Sequence, residues 1–310
     1  MKSVRFLPFF YLLAALCGAS RAGADTFALP PPGEALVGAP RMILSRAEDT
    51  LLDIARHYGY GYKEVVIGNP GVDPWLPGES TPIVLPGQHV LPDAPRQGIV
   101  INLPERRLYF YPKPLQGETS EVVTYPIGIG KEGWQLPVML TQVSDKERNP
   151  SWQVPASIKR EHAARGDSLP DWFPPGKDNP LGEFALRLGT SAYLVHGTNR
   201  KYGIGMRVSH GCVRLYPQDI RELFSRVSVG TPVRIVSQPY KVGVKEGLLY
   251  LEAHPPLIEN TRKTGKGTLA AAITRTAAKA DLTVDWDTAN HAIKTPSGLP
   301  VIIGSARPVR

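Results

Sequence analysis

Cys212 stands in the run Ser209-His210-Gly211-Cys212-Val213-Arg214-Leu215, and a second His-Gly pair begins at His196, sixteen residues upstream. These residue types at this spacing can do nucleophilic chemistry on a carbonyl. The attacking species is the thiolate, and a free cysteine is only slightly ionised at neutral pH, so it needs a base or a cation beside it. Read as extended chain, residues 210–214 alternate in direction, which puts His210, Cys212 and Arg214 on one face. His210 is then two residues along the same strand from the sulfur, an awkward place from which to take its proton. His196, arriving from a neighbouring strand, is the better base, and His210 is left to orient or to contact substrate. The Gly197 carbonyl can face the far nitrogen of His196 and stand in for the carboxylate of a conventional triad. The backbone N–H groups of Gly211 and Cys212 are natural donors to a tetrahedral oxyanion, each such donor being worth about 2.7–4 kcal/mol in the transition state. Arg214 can grip a substrate carboxylate with two parallel hydrogen bonds. Its alternative employment is an ion pair with Asp219 or Glu222. A zinc site built from His196, His210 and Cys212 lacks the paired ligand spacings such sites use, with no Cys-x-x-Cys or His-Glu-x-x-His in the chain. The reading calls for no metal and no cofactor.

The rest of the chain decides whether that thiol is free. Lys2 and Arg5 precede a short apolar stretch, residues 6–19, and Ala22-Gly23-Ala24 supplies small residues for cleavage. Residues 1–24 therefore read as an export signal, too short in its apolar part for a comfortable membrane span. An uncleaved anchor is the alternative. Cys17 sits in that stretch, but Leu16 before it is too bulky for a lipoprotein cleavage motif. With the signal gone, Cys212 is the last cysteine in the chain and has no disulfide partner. An odd cysteine in an exported protein is either a buried structural thiol or a reactive one, and two histidines, two glycines and an arginine around it favour reactivity.

Cleavage removes Lys2, Arg5 and Arg21 and no acid, which takes the net charge from +8 to +5, with 33 basic residues against 28 acidic. That mild excess suits an anionic polymer such as cell wall. No dense basic stripe interleaved with aromatics appears, so nucleic acid is not the expected partner. The 31 prolines and 30 glycines favour short strands and many turns.

Residues 25–40 are rich in Pro, Gly and Ala and read as an extended lead-in. A strand-helix-helix-strand unit follows over 41–92. Its first helix spans 51–58, capped around Glu48-Asp49-Thr50 and stopped by Gly59, its second spans 62–67, and a strand at 83–86 closes it. Residues 93–97 form a Pro-bearing linker. Strands are expected at 99–103, 108–111, 122–128, 136–143, 184–188, 192–195 and 233–236. Between them lies a polar, Pro-rich stretch, 145–182, with one short helix at 158–164. Pro217 opens a helix over 218–227. In 238–310 a strand is expected at 248–253, helices at 269–279 or 286–293, and a last strand at 301–303.

At the cysteine the sequence resembles the L,D-transpeptidases of the YkuD type. The resemblance runs from His196-Gly197-Thr198 through Ser209-His210-Gly211-Cys212-Val213-Arg214-Leu215 and covers roughly residues 97–237. It implies a mainly β, sandwich-like catalytic domain with Cys212 as nucleophile, His196 as base and Gly197 as carbonyl orienter. Ser209, His210, Gly211 and Arg214 would line the site. Residues 41–92 resemble a LysM module, through Asp49-Thr50-Leu51, Ile54-Ala55-Arg56, Asn69-Pro70 and Pro77-Gly78, with Glu48 where that family has glycine. LysM modules bind the N-acetylglucosamine-containing glycan of peptidoglycan or chitin. Signal, LysM-like unit, catalytic domain and C-terminal extension together resemble the periplasmic Gram-negative subgroup that attaches Braun's lipoprotein to peptidoglycan. The implied reaction forms a thioester with a tetrapeptide stem at meso-diaminopimelate, releases D-Ala, and passes the acyl group to a lipoprotein lysine or a second stem. The resemblance also implies acylation by carbapenems. Water as acceptor would make the protein an L,D-carboxypeptidase, and an idle catalytic domain would leave a peptidoglycan-binding protein. Sortase-like enzymes share the order His, Cys, Arg but space them much further apart.

Overall fold

A computed structural model describes residues 24–190, 192–200, 202–260 and 266–306. Most of the export signal read from residues 1–24, Cys17 included, lies outside the described residues. Among the described residues, no helix is long and apolar enough to cross a membrane.

The protein is mainly β. Its largest element is a nine-stranded mixed sheet in the order Asp25–Ala28, Glu121–Pro126, Arg107–Tyr111, Gly98–Asn102, Pro232–Val236, Met139–Arg148, Phe184–Leu188, Leu194–His196, Val213–Arg214. Both faces of its centre are covered, which is why Gly98–Asn102 and Arg107–Tyr111 are buried at every position. Ile99, Ile101, Leu108 and Phe110 point into a core capped by Ile220 and Leu223 of the helix Pro217–Arg226. Val100, Tyr109 and Tyr111 point the other way, into a smaller cluster with Val37, Leu91 and Val122. The two parallel contacts matter most for the site: Val195 pairs with Val213, and His196 with Arg214.

Residues 41–92 form the expected strand-helix-helix-strand unit. Thr50 caps the helix Leu51–Tyr58 by accepting the Asp53 N–H, and Gly59 ends it in the left-handed conformation at φ +76°. A second helix, Tyr62–Gly68, follows, and the strands Arg41–Leu44 and Pro82–Leu85 pair antiparallel. The unit has its own core, built on Leu51, Ile54, Val65, Ile83 and Leu85. It is docked hard on the large sheet and the helix Pro217–Arg226. Glu64 holds Arg107 through contacts of 2.8 and 3.2 Å, with both side chains buried. Tyr216 donates its hydroxyl to the Tyr60 carbonyl at 2.9 Å. Two glycines meet at the seam: a Cβ on Gly205, itself at φ +78°, would lie 2.4 Å from the Tyr62 nitrogen.

The lead-in differs from its expected form. Asp25–Ala28 pairs with residues 121–124 as the edge strand of the large sheet, and Leu36–Gly38 pairs with Gln88–Val90. Strands of three or four residues between prolines leave no readable alternation. The polar stretch 145–182 is likewise ordered, around buried Asn179, whose amide donates to the carbonyls of Pro150, Phe173 and Pro174 and whose oxygen accepts the Leu181 N–H. Its helix runs Ala156–Ala163.

The C-terminal residues fold as a three-stranded antiparallel sheet, Tyr240–Lys245, Leu248–Ala253 and Pro300–Ser305, with both helices present, Lys266–Lys279 and Trp286–Lys294. A buried charge cluster joins all three units. His89, Glu105 and Glu252 lie close enough together to suggest a metal site. Lys241 Nζ already fills that place, 2.9 Å from Glu105 and 2.8 Å from Glu252, so the cluster carries its own cation.

Candidate active site

Six of the seven residues singled out in the sequence line one cleft of about 410 Å³: His196, Ser209, His210, Gly211, Cys212 and Arg214. Gly197 stands behind it. Its N–H is tied to the Phe184 carbonyl at 3.1 Å, and a Cβ there would come within 3.1 Å of Ile220, so a side chain would push on the helix that supports the site. The other walls are Trp134 and Gln135 on one side, Trp152, Pro155 and Ile158 from the long stretch, and Ala192, Tyr193 and Leu194. A larger groove of about 770 Å³ runs between the unit at residues 41–92 and the loop Thr198-Asn199-Arg200, away from the cysteine.

The segment around Cys212 departs from the extended form expected of it. Gly211 is at φ +104°, which turns the chain between His210 and Cys212 and takes them off a common face. The turn is braced internally. Ser209 Oγ donates to the Cys212 carbonyl at 2.5 Å and accepts the Gly211 N–H at 3.2 Å. The Gly211 N–H is therefore already engaged, and the Cys212 N–H is the one left for an oxyanion. Ser209 itself is buried and serves the loop.

Cys212 is a free, half-buried thiol. Its sulfur lies 4.0 Å from the Ala192 carbonyl oxygen. Burial pushes its pKa up, while the Leu194 N–H and the charges of Arg214 and Arg187 pull it back. His196 is 2% exposed, and its pKa is pushed down to about 3, first by burial and then by the Arg214 charge. Its Nδ1 has no close hydrogen bond, and the Gly197 carbonyl expected to face the ring is not alone there. The carbonyls of Gly197 and Leu181 both favour the protonated ring. At neutral pH thiol and imidazole are thus both uncharged.

Arg214 does not pair with Asp219 or Glu222. Its Nε is buried with no hydrogen-bond partner, and no carboxylate among the described residues forms a salt bridge with it. A half-buried guanidinium without an anion, facing a cleft, can receive one.

His210 is held by residues the sequence did not flag. Its ring packs edge-on against Trp134 with centroids 4.8 Å apart. Its Nε2 lies 3.0 Å from Glu161 and 3.1 Å from Lys131 Nζ. Lys131 and Glu161 also pair directly, and Arg165 reaches Glu161 at 2.6 Å. The network ties the helix Ala156–Ala163 and the loop at 131–135 to the cysteine turn. Burial and the Lys131 charge lower the His210 pKa, and Glu161 opposes them.

The sequence profile of the L,D-transpeptidase catalytic domain, YkuD, matches residues 96–235. Probable L,D-transpeptidase YcfS of Escherichia coli K12 is 42% identical over 307 residues, covering 96% of this chain and 94% of that protein. Probable L,D-transpeptidase ErfK/SrfK of Salmonella typhimurium is 40% identical, covering 98% of this chain and 97% of its own length. Among solved structures, the catalytic domain of an Enterococcus faecium L,D-transpeptidase overlaps loosely, with a TM-score of 0.34 at 20% identity, over 47% of this chain and all of that one.

Proposed function

The chain belongs to the YkuD family of L,D-transpeptidases, and from that membership we propose that Cys212 forms a thioester with a peptidoglycan tetrapeptide stem and passes the acyl group to an amine. Cys212 Sγ attacks the carbonyl carbon of the stem's third residue, meso-diaminopimelate. Its proton moves to His196, and the carbonyl oxygen becomes an oxyanion facing the Cys212 N–H. Collapse breaks the amide bond, and His196 returns the proton to the departing amine of D-Ala. An acceptor amine then attacks the thioester and frees the sulfur. The acceptor is a lysine of Braun's lipoprotein or a second stem's diaminopimelate; water in its place would give the L,D-carboxypeptidase.

The observation that carries the reading is the unpaired Arg214 guanidinium in the same cleft as Cys212 and His196. A stem ends in free carboxylates, and one of them completes Arg214. Binding also tunes the base. The Arg214 charge holds the His196 pKa down, so a carboxylate that neutralises it makes His196 a stronger base once substrate is seated. Catalysis starts from a neutral pair and moves the proton during attack.

The proposed layout is an export signal at 1–24, a LysM-like glycan-binding unit at 41–92, the catalytic domain at 97–237 and a C-terminal extension at 238–310, working in the periplasm. Intact-protein mass spectrometry with a tetrapeptide stem tests the chemistry. The expected result is an adduct on Cys212 equal to the stem less D-Ala, absent in Cys212→Ala. A stem cleaved equally well by Cys212→Ala would refute it. Mass spectrometry of digested wall identifies the acceptor, as lipoprotein-linked, 3–3 crosslinked or trimmed stems.

A further inference from the structure

We propose that cleavage after Ala24 creates an α-ammonium at Asp25 that becomes the partner of the buried Asp219 carboxylate and so fixes the helix that follows the catalytic cysteine. Asp219 lies in the first turn of the helix Pro217–Arg226 and is 2% exposed. Both its carboxylate oxygens are buried without a hydrogen-bond partner among the described residues. A buried acid in that state is costly, and native proteins rarely leave one so.

The charges facing it do not balance. Glu222 and Asp25 are the negative groups it feels, and Arg107 the positive one. Arg107 is already committed to Glu64 and to the Thr124 hydroxyl. Asp25 is itself pushed up by burial, against the pull of Arg107 and Arg41, and Tyr125 sits beside Glu222 and Asp219. Burial first, then the charges of Glu222 and Asp25, drive Asp219 up to about 8 against Arg107, which leaves it largely protonated at neutral pH. Arg41 acts on Asp25 and Arg226 pairs with Glu222, so among the described residues no cation forms a salt bridge with Asp219.

The chain supplies one at this place. The edge strand of the large sheet begins at Asp25, the residue after Ala22-Gly23-Ala24, and Asp25 is registered against Thr124. Ala24 packs on the core cluster that contains Tyr125 and, from the Asp219 helix, Ile220 and Leu223. Hydrolysis of the 24–25 peptide bond by a signal-peptidase-class endopeptidase consumes one water. Ala24 leaves with the new carboxylate, and Asp25 keeps the amine, which is protonated at neutral pH. The helix it would anchor begins five residues after Cys212, and the stretch between carries the Leu215 N–H bond to the His196 carbonyl at 2.9 Å. Processing of the leader would thereby set the cysteine turn against its base.

The proposal rests on the cleavage position read from the sequence, but its test does not depend on what the cell cuts. A chain beginning at Asp25, released from a cleavable fusion, is compared with the same chain extended by Gly-Ala, each with and without Asp219→Asn. The first readout is the rate at which an amine-acylating ester labels the α-amine at pH 7. Burial in an ion pair should slow labelling of the Asp25-start chain at least about tenfold relative to its Asp219→Asn form, the equivalent of one pKa unit. The urea-unfolded wild-type chain is a second reference should Asp219→Asn fail to fold. The second readout is the melting temperature and the rate of Cys212 acylation by the stem. Both should drop on extension in wild type and be unmoved by it in Asp219→Asn. Equal labelling of the folded and unfolded wild-type chains, or an extension effect of the same size in both backgrounds, overturns the pairing. N-terminal sequencing of the exported protein tests the cleavage position separately.

Discussion

Replacing Arg214 by Met removes the guanidinium and keeps much of the side chain's length and bulk. The wild-type group is buried at Nε, unpaired, and next to the thiol it would serve. A hydrogen bond to a charged group is worth about 1.5–3 kcal/mol, which is roughly 10- to 150-fold in kcat/KM. If Arg214 only holds the carboxylate, most of that loss falls on KM. A second effect runs the other way: without the Arg214 charge, His196 loses one of the two influences that depress it, and the acid limb of the kcat/KM profile moves to higher pH. The assay is thioester formation from two stems, one with a free terminal carboxylate and one amidated there. Wild type should prefer the free acid by roughly that 10- to 150-fold, and Arg214→Met should show almost no preference. Equal use of the two stems by wild type would refute the assignment of Arg214, whatever the variant does.

Glu64→Gln leaves the Arg107 charge buried without its carboxylate and should cost about 3–5 kcal/mol by thermal or urea unfolding. Burial holds the Glu64 pKa up despite Arg107, so the pair is a weak net stabiliser, and Glu64→Leu with Arg107→Met should cost far less than either single change. Gly205→Ala forces a left-handed residue to carry a Cβ 2.4 Å from the Tyr62 nitrogen; a loss of about 1–3 kcal/mol is expected, together with faster amide exchange at the seam, and an unchanged melting curve would contradict the contact. Glu161→Gln should lower kcat for thioester formation and shift its pH profile through His210, with Glu161→Asp restoring part of both; no change in either would reduce Glu161 to a surface ion pair. His196 has a folded pKa near 3, well under the ordinary histidine value, so the unfolded chain takes up a proton first as the pH falls. The stability it contributes is complete above about pH 6.5 and is lost on acidification toward 3, at about 1.4 kcal/mol per pH unit. His196→Gln should flatten the unfolding curve by that slope in that window.

The candidate site was legible because it is local. Cys212, Arg214 and His196 lie within nineteen residues, and two short strands in parallel register carry His196 and Arg214 side by side. The helix Leu51–Tyr58 was legible to the residue, since Thr50 and Gly59 mark its ends by chemistry a reader can see. Lys131, Trp134 and Glu161 were not. Each is an ordinary residue in a loop or a polar helix, and Lys131 meets His210 across 79 positions and Glu161 across 49. The turn at Gly211 breaks the alternation for a different reason: glycine is the residue freest to leave an extended run, and Gly211 does so at φ +104°. The strands Asp25–Ala28 and Leu36–Gly38 are extended because of what they pair with, and that information sits in residues 121–124 and 88–90.

The glycine seam between Tyr62 and Gly205 also bears on how such an enzyme meets a polymer. A module on a slack tether raises the local concentration of its partner and lets the active site sample every stem within reach. Backbones in this close an approach allow no such search. If residues 41–92 grip a glycan strand, the cleft is carried at one fixed offset and angle from the grip. The module then acts as a gauge, and the stems open to Cys212 are chosen by their position along the strand before any side chain in the cleft has touched them.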